Sequence, residues 1–167
     1  MSRKDDILDA AERIVATEGL DALSMRRLAD EVGVKAPSLY KHVRGKDEVI
    51  AALQERALRD FTAALASAPP GVRSLGAAYR SWALAHPAAY AVVTRVPLQR
   101  DLLTPGVEEA AAAPVLAVVG GHQERARALW AIAHGLVDLE LADRFPKDAD
   151  LDATWEVAVS AFGGVET

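Results

Sequence analysis

Residues Ser24 to Lys46 read SMRRLADEVGVKAPSLYKHVRGK, and this stretch decides the fold. Leu28, Ala29 and Val32 lie three or four positions apart and share one helix face. Ser24 stands where a hydroxyl can accept from an unpaired amide at a helix start. Gly33 stands where a helix closes in a left-handed residue, a conformation glycine adopts cheaply. Val34 and Leu39 restart an apolar face. Pro37 suits the first turn of that second helix, where its missing N–H is not needed. Ala29 is small where two helices must cross closely. Two helices set steeply across a short glycine turn form the unit whose second helix enters the DNA major groove. A buried αα-hairpin fits the same pattern. The side chains left over argue against it: Lys35, Ala36, Pro37, Ser38, Tyr40, Lys41 and His42, with Arg44 and Lys46 beyond, mix the small, aromatic and basic groups that suit a DNA groove.

Charge supports the groove reading. Ser24–Lys46 holds six basic residues and two acidic ones, a net +4, whereas the whole 167-residue chain is −5 and the remainder therefore −9. A basic patch on an acidic chain is the electrostatic footprint of a nucleic-acid reader.

Outward from this stretch the pattern stays helical. Asp5–Glu18 places Ile7, Leu8, Ala11, Ile14 and Val15 on one stripe and Asp6, Asp9, Glu12 and Arg13 away from it. This helix completes a three-helix head, close to the smallest core that folds, so a brace from the next helix is expected. Asp47 is the candidate cap of that next helix, and Glu48 suits its positive end. Its period runs from Val49 through Leu53, Ala57, Phe61 and Leu65 to about Ser67, and Pro69-Pro70-Gly71 stops it. Val72–Val93 predicts a helix broken at His86-Pro87, because the residue before proline is pushed out of the helical region. Glu108–Val119 is helical despite Pro114, Gly120-Gly121 is a turn, and Gln123–Phe145 and Asp152–Phe162 are the last helices.

Composition narrows the class. Half the residues are apolar but only 5% are aromatic, and alanine is abundant, which favours close-packed helices over a sheet. With no cysteine there is no disulfide, thiol chemistry or thiolate metal site. The charged, amphipathic N-terminus is unlike a signal peptide, and no uncharged apolar run reaches the ~18 residues of a membrane span. The expectation is a cytoplasmic protein.

The segment ILDAAERIVATEGLDALSMRRLADEVGVKAPSLYKHVRGKDEVIAAL, Ile7–Leu53, resembles the DNA-binding head of the TetR family of bacterial transcriptional regulators. The resemblance implies an all-α protein of about nine helices, with a helix-turn-helix head over 1–46, a connecting helix over 47–67 and a ligand-binding, dimerising body over 68–167. It implies a homodimer that sets two heads in successive major grooves of a palindromic operator. By position, Ser24, Arg26 and Arg27 would meet the DNA backbone. Lys35, Ala36, Pro37, Ser38, Tyr40, Lys41 and His42 would form the recognition surface, and Lys46 would contact phosphate. RALWAIAHGLVDLELADRF, with WALAHPAAYAVV upstream, resembles a TetR C-terminal subtype marked by Trp130, His134 and Gly135. That implies a dimer interface built from the last two helices. Their apolar residues on more than one face agree, since such helices need a second surface to bury against.

Chemistry elsewhere is thin. His134 and Asp138 are four apart and could share a metal, but such a helical pair is ordinarily a hydrogen bond within a core or interface. No metal or cofactor is expected. Ser81, His86 and Asp101 lack the glycines of a nucleophile elbow, so no enzyme can be assembled. Trp82, His86, Tyr90, Arg95, Trp130 and His134 are candidate walls of a pocket for an apolar, neutral or anionic effector; the tryptophans could equally fill a core. The expected function is that of a repressor released from its operator by a small molecule. The rival is an architectural protein that binds DNA without sequence choice.

Overall fold

The structure is a computed structural model that describes residues 3–163. Among the described residues it contains nine α-helices and two short 3-10 turns, with no strand. The helices are α1 Arg3–Glu18, α2 Met25–Val32, α3 Ala36–Leu39, α4 Lys46–Ala66, α5 Val72–Ala85, α6 Pro87–Thr94, α7 Val107–Val118, α8 Gln123–Leu141 and α9 Leu151–Ser160. The all-helical fold is the one expected, and several ends fall where local chemistry puts them. α5 stops at Ala85 and α6 begins at Pro87, with His86 between them in a non-helical conformation. α9 is capped by Asp150, whose carboxylate accepts from the Ala153 amide at 2.9 Å.

Two ends differ from expectation. α4 starts at Lys46, so Asp47 lies in its first turn and is not its cap. α8 stops at Leu141 and not at Phe145. Asp143 there takes a left-handed conformation, φ 50, which a short polar side chain tolerates. The Asp143 and Arg144 amides then fold back onto the carbonyls of Glu140 and Leu139, closing the helix before Pro146 is reached.

The chain forms two compact units. The first holds the residues up to Arg59 together with His86–Val107; the second holds Asp60–Ala85 and the residues from Glu108 onward. Compactness thus groups α6 and the segment after it with the head. In the first unit α1 supplies Ile7, Leu8, Ala11, Ile14 and Val15, α2 supplies Leu28 and Ala29, and α4 supplies Val49, Ile50 and Leu53 to one core, which Leu39, Val43 and Val92 complete. Each of these valine, leucine and isoleucine side chains contributes about 1.5–3 kcal/mol on full burial.

Gln54 is the one fully buried polar side chain among the described residues. Its amide nitrogen donates to the carbonyls of Val92 at 3.1 Å and Pro97 at 3.2 Å, and its oxygen accepts from the Gln99 amide at 2.9 Å. Next to it, Glu55 accepts from the amide and hydroxyl of Thr104. Two neighbouring residues of α4 therefore hold the end of α6 and the strap behind it.

In the second unit α5 buries Val72, Leu75, Tyr79 and Trp82, α8 buries Leu129, Ala133 and Val137, and α9 buries Trp155 and Val159. Gly76 of α5 is required by this packing. A Cβ there would lie 2.8 Å from Val159 Cγ1. Arg80 joins the three helices. Its guanidinium donates to Glu140 on α8 and to Asp152 on α9, and it lies 5.8 Å from the ring centre of Trp155, whose indole N–H donates to the other Glu140 oxygen. Glu140 is nearly buried, and a carboxylate removed from water is tolerable only with such partners.

Gln54→Leu keeps the volume but strands two carbonyls and an amide. The expected loss is about 2–4 kcal/mol in urea unfolding, above that of an ordinary surface substitution.

Candidate nucleic-acid interface

The candidate reading face belongs wholly to the first unit, and its backbone is closed at each junction. The Ser24 hydroxyl accepts from the Arg27 amide at 3.1 Å and caps α2. Gly33 ends that helix with φ 72, and the Val34 amide returns to the Ala29 carbonyl at 2.9 Å. Lys35 then precedes α3, with Pro37 in its first turn. α3 is only four residues long; the turn after it is held by the His42 and Val43 amides, both on the Leu39 carbonyl. Leu39 and Val43 are buried and anchor the segment from below. Lys35, Pro37, Tyr40, Lys41 and His42 are consequently exposed, with Ala36 and Ser38 half-buried among them. Tyr40 is 55% exposed, a large solvation cost for an aromatic ring that nothing within the described chain covers.

The cations of this unit fall into two sets. Arg26, Lys35, Lys41 and Lys46 are exposed and make no ion pair among the described residues. Arg27 is different. Its guanidinium donates to Glu18 through two nitrogens, as close as 2.5 Å, and to Glu31 at 2.8 Å. Glu18, then Glu31, raise its pKa well above the arginine range. Glu31 is itself held below the usual carboxylate range by Arg27 first and Arg13 second. Arg27 thus ties the end of α1 to α2. The α2 pair was legible as positions four apart; the partner on α1 was not.

A second cluster was not singled out from the sequence. The Glu48 carboxylate accepts from the Arg44 amide at 2.7 Å, from the Arg44 side chain at 3.3 Å and from Lys4 at 3.0 Å. It is the group that closes the start of α4, the role expected of Asp47. The Arg44 amide first, then Lys4, hold its pKa down at about 2. Glu48 also lines a cleft of about 530 Å³ in the same unit, with Lys4, Arg44, Arg56, Arg59 and Asp101 among its other walls.

None of the six residues expected to wall an effector pocket lines that cleft. Trp82, Trp130 and His134 belong to the second unit, and His86, Tyr90 and Arg95 to the first. Trp82 is buried, edge-on to Phe61 at 5.1 Å, and its indole N–H donates to Asp60 at 2.8 Å. Trp130 is 51% exposed and stacks on His134 at 5.9 Å. Tyr90 is buried, whereas His86 and Arg95 are exposed. No group of three or more His, Asp or Glu side chains among the described residues is placed to hold a metal ion. No described helix is long and apolar enough to cross a membrane.

Because its pKa is depressed when folded, Glu48 contributes stability that is complete above its ordinary value of 4.5 and is lost as the pH falls toward about 2. The stability gap between the native protein and Glu48→Gln should be constant from neutral pH down to about 4.5 and close below it. Urea unfolding at successive pH values reads this directly.

Comparison with known proteins agrees with the geometry. Residues 7–53 match the model for bacterial regulatory proteins of the tetR family, and residues 72–162 match that for the tetracyclin repressor-like C-terminal domain. The HTH-type transcriptional regulator Rv0681 of Mycobacterium tuberculosis is 34% identical over 168 residues, covering 91% of this chain and 76% of the relative. The HTH-type transcriptional repressor DrrR1 of Streptomyces coeruleorubidus is 44% identical over 55 residues, 33% of this chain and 20% of that one. The crystal structure of the regulatory protein SCO4313 superimposes with a TM-score of 0.77 at 26% identity, over 95% of this chain and 94% of that chain. With both domain models matched in order and a relative aligned along most of its length, the chain belongs to the TetR family of bacterial regulatory proteins.

Proposed function

We propose that this protein is a sequence-specific repressor that acts in the cytoplasm as a homodimer on a palindromic operator and is released by a small-molecule effector. The observation that carries the reading is the closed turn from Ser24 to Val43. It buries Leu39 and Val43 while leaving Lys35, Tyr40, Lys41 and His42 in solvent, with Arg26 and Lys46 also exposed and in no ion pair among the described residues. A hairpin built for a core would do the opposite. Repression is favoured by the heads of relatives named as repressors, DrrR1 among them. Base contacts fall to Lys35–His42 and phosphate contacts to Ser24, Arg26 and Lys46. Arg27 serves by holding α2 in place.

Dimerisation is supported by the outer face of α8. Ile132 and Leu139, seven residues apart, are 40% and 43% exposed, and Val157 on α9 is 72% exposed. Ala128, Ala131 and Gly135 lie on the same side, and a Cβ at Gly135 would meet nothing within 4 Å among the described residues. Small residues between apolar ones allow a second helix to approach closely. Trp130, two residues before Ile132, lies on the far side of α8 from this stripe, where it stacks on His134. For the effector, the second unit offers Trp82, held by Asp60 and Phe61 of α4 itself. A ligand that displaces Trp82 would move the end of α4, the helix whose other end carries Lys46. Release then follows when the two heads no longer match half-sites about one helical turn, ~34–36 Å, apart.

Selection of operator sequences from random duplex DNA tests this. A repressor prefers its best site over bulk DNA by roughly 10³-fold or more; a protein that binds all duplexes alike is the architectural rival. On the selected site Tyr40→Ala should weaken binding, and Lys46→Ala should also flatten the salt dependence by about one unit of slope per head. An unchanged slope takes Lys46 out of the phosphate contacts. In sedimentation, the native chain should be a dimer and Ile132→Asp with Leu139→Arg a monomer.

A further inference from the structure

The head holds more cations than it offers. Lys4 and Arg44 stand at the starts of α1 and α4, on either side of the Glu48 carboxylate, which pairs with both. Their own side chains are 47% and 82% exposed, whereas that of Glu48 is 19% exposed. Arg44 lies two residues from Lys46 and two from His42, on the turn between the reading helix and α4. Glu48 thus occupies the first turn of α4 and gathers the Arg44 amide and two side-chain cations, the donors that a DNA phosphate seeks at a helix start.

We infer that Glu48 is a specificity-determining residue: its carboxylate stands in for a phosphate and withholds Lys4 and Arg44 from duplex DNA. The inference rests on the DNA-reading role of this unit. Each cation that neutralises a phosphate adds close to one unit to the slope of log affinity against log salt and strengthens binding to any sequence alike. Side chains on the recognition surface add affinity only at matching bases. A carboxylate that occupies two cations therefore lowers the affinity for bulk DNA and raises the share of binding that depends on sequence. Arg26 and Lys46 remain to supply the non-specific attraction.

Asp47 supplies the internal control. It is exposed, adjacent to Glu48, and makes no ion pair among the described residues. Asp47→Asn removes the same charge without releasing a cation. Glu48→Gln keeps an oxygen for the Arg44 amide, so the turn retains its closure.

Binding of the full chain to random-sequence duplex DNA is measured against salt concentration. Glu48→Gln should steepen the slope by about one to two per head and raise the affinity about tenfold at low salt, whereas Asp47→Asn should change the slope by less than half as much. Lys4→Met should leave the native slope unaltered but lower that of Glu48→Gln by about one per head. Equal slopes for the native protein and Glu48→Gln overturn the inference. Equal effects of Glu48→Gln and Asp47→Asn overturn it as well, as does a Lys4→Met effect that is the same in both backgrounds. Should Glu48→Gln bind more weakly with an unchanged slope, Glu48 only shapes the turn. If the native chain and every variant fail to bind duplex DNA, the DNA-reading role falls and the inference with it.

Discussion

A carboxamide removed from water must find every partner inside the protein, and the first unit is arranged around one that does. Gln54 could have been a leucine at no loss to the helical pattern. Its three hydrogen bonds reach one late carbonyl of α6, that of Val92, and the Pro97 carbonyl and Gln99 amide of the strap behind it. They bring a segment more than thirty residues further along the chain into the same unit as the head. The brace that so small a three-helix core needs comes in part from here. Val92, on the same face, is buried in that core.

Electrostatics in the same unit is a matter of allocation. Arg13, Arg27, Arg44, Arg56 and Lys4 are all engaged by carboxylates, most of them on another helix. These pairs are partly solvated and each contributes little to stability. Their effect is selective: they hold the helices in register and leave a small group of cations, all on the candidate reading face or beside it, with no ion-pair partner among the described residues. The net charge of +4 over Ser24–Lys46 counts Arg27 and Arg44, which are already paired with carboxylates outside that stretch.

The head was legible because its signals are local. Ser24 and Gly33 act within four residues of themselves, and Leu28, Ala29 and Leu39 carry the core face in their spacing. The break at His86-Pro87 was legible for the same reason. What escaped depends on groups far apart in the chain. Glu48 and Asp47 look alike at a helix start, and only the position of Lys4 and the Arg44 amide distinguishes them. Gln54 reads as one more polar position on α4. The tryptophans show the limit from the other side. Trp82 and Trp130 have similar apolar neighbours in sequence, yet one is buried against Phe61 and the other is half in solvent. Aromatic residues in a helix mark a face to be covered without saying by what.

The Arg80 cluster bears on the proposed association as well as on folding. By fixing α5, α8 and α9 through Glu140, Asp152 and Trp155, it sets the outer residues of two helices in place before anything covers them. Immobilising side chains and backbone at the moment of contact is a principal cost of binding, of about 0.5–1.5 kcal/mol for each flexible side chain. A face already rigid in the free chain avoids much of that loss of freedom, so even a short α9 can belong to a tight contact.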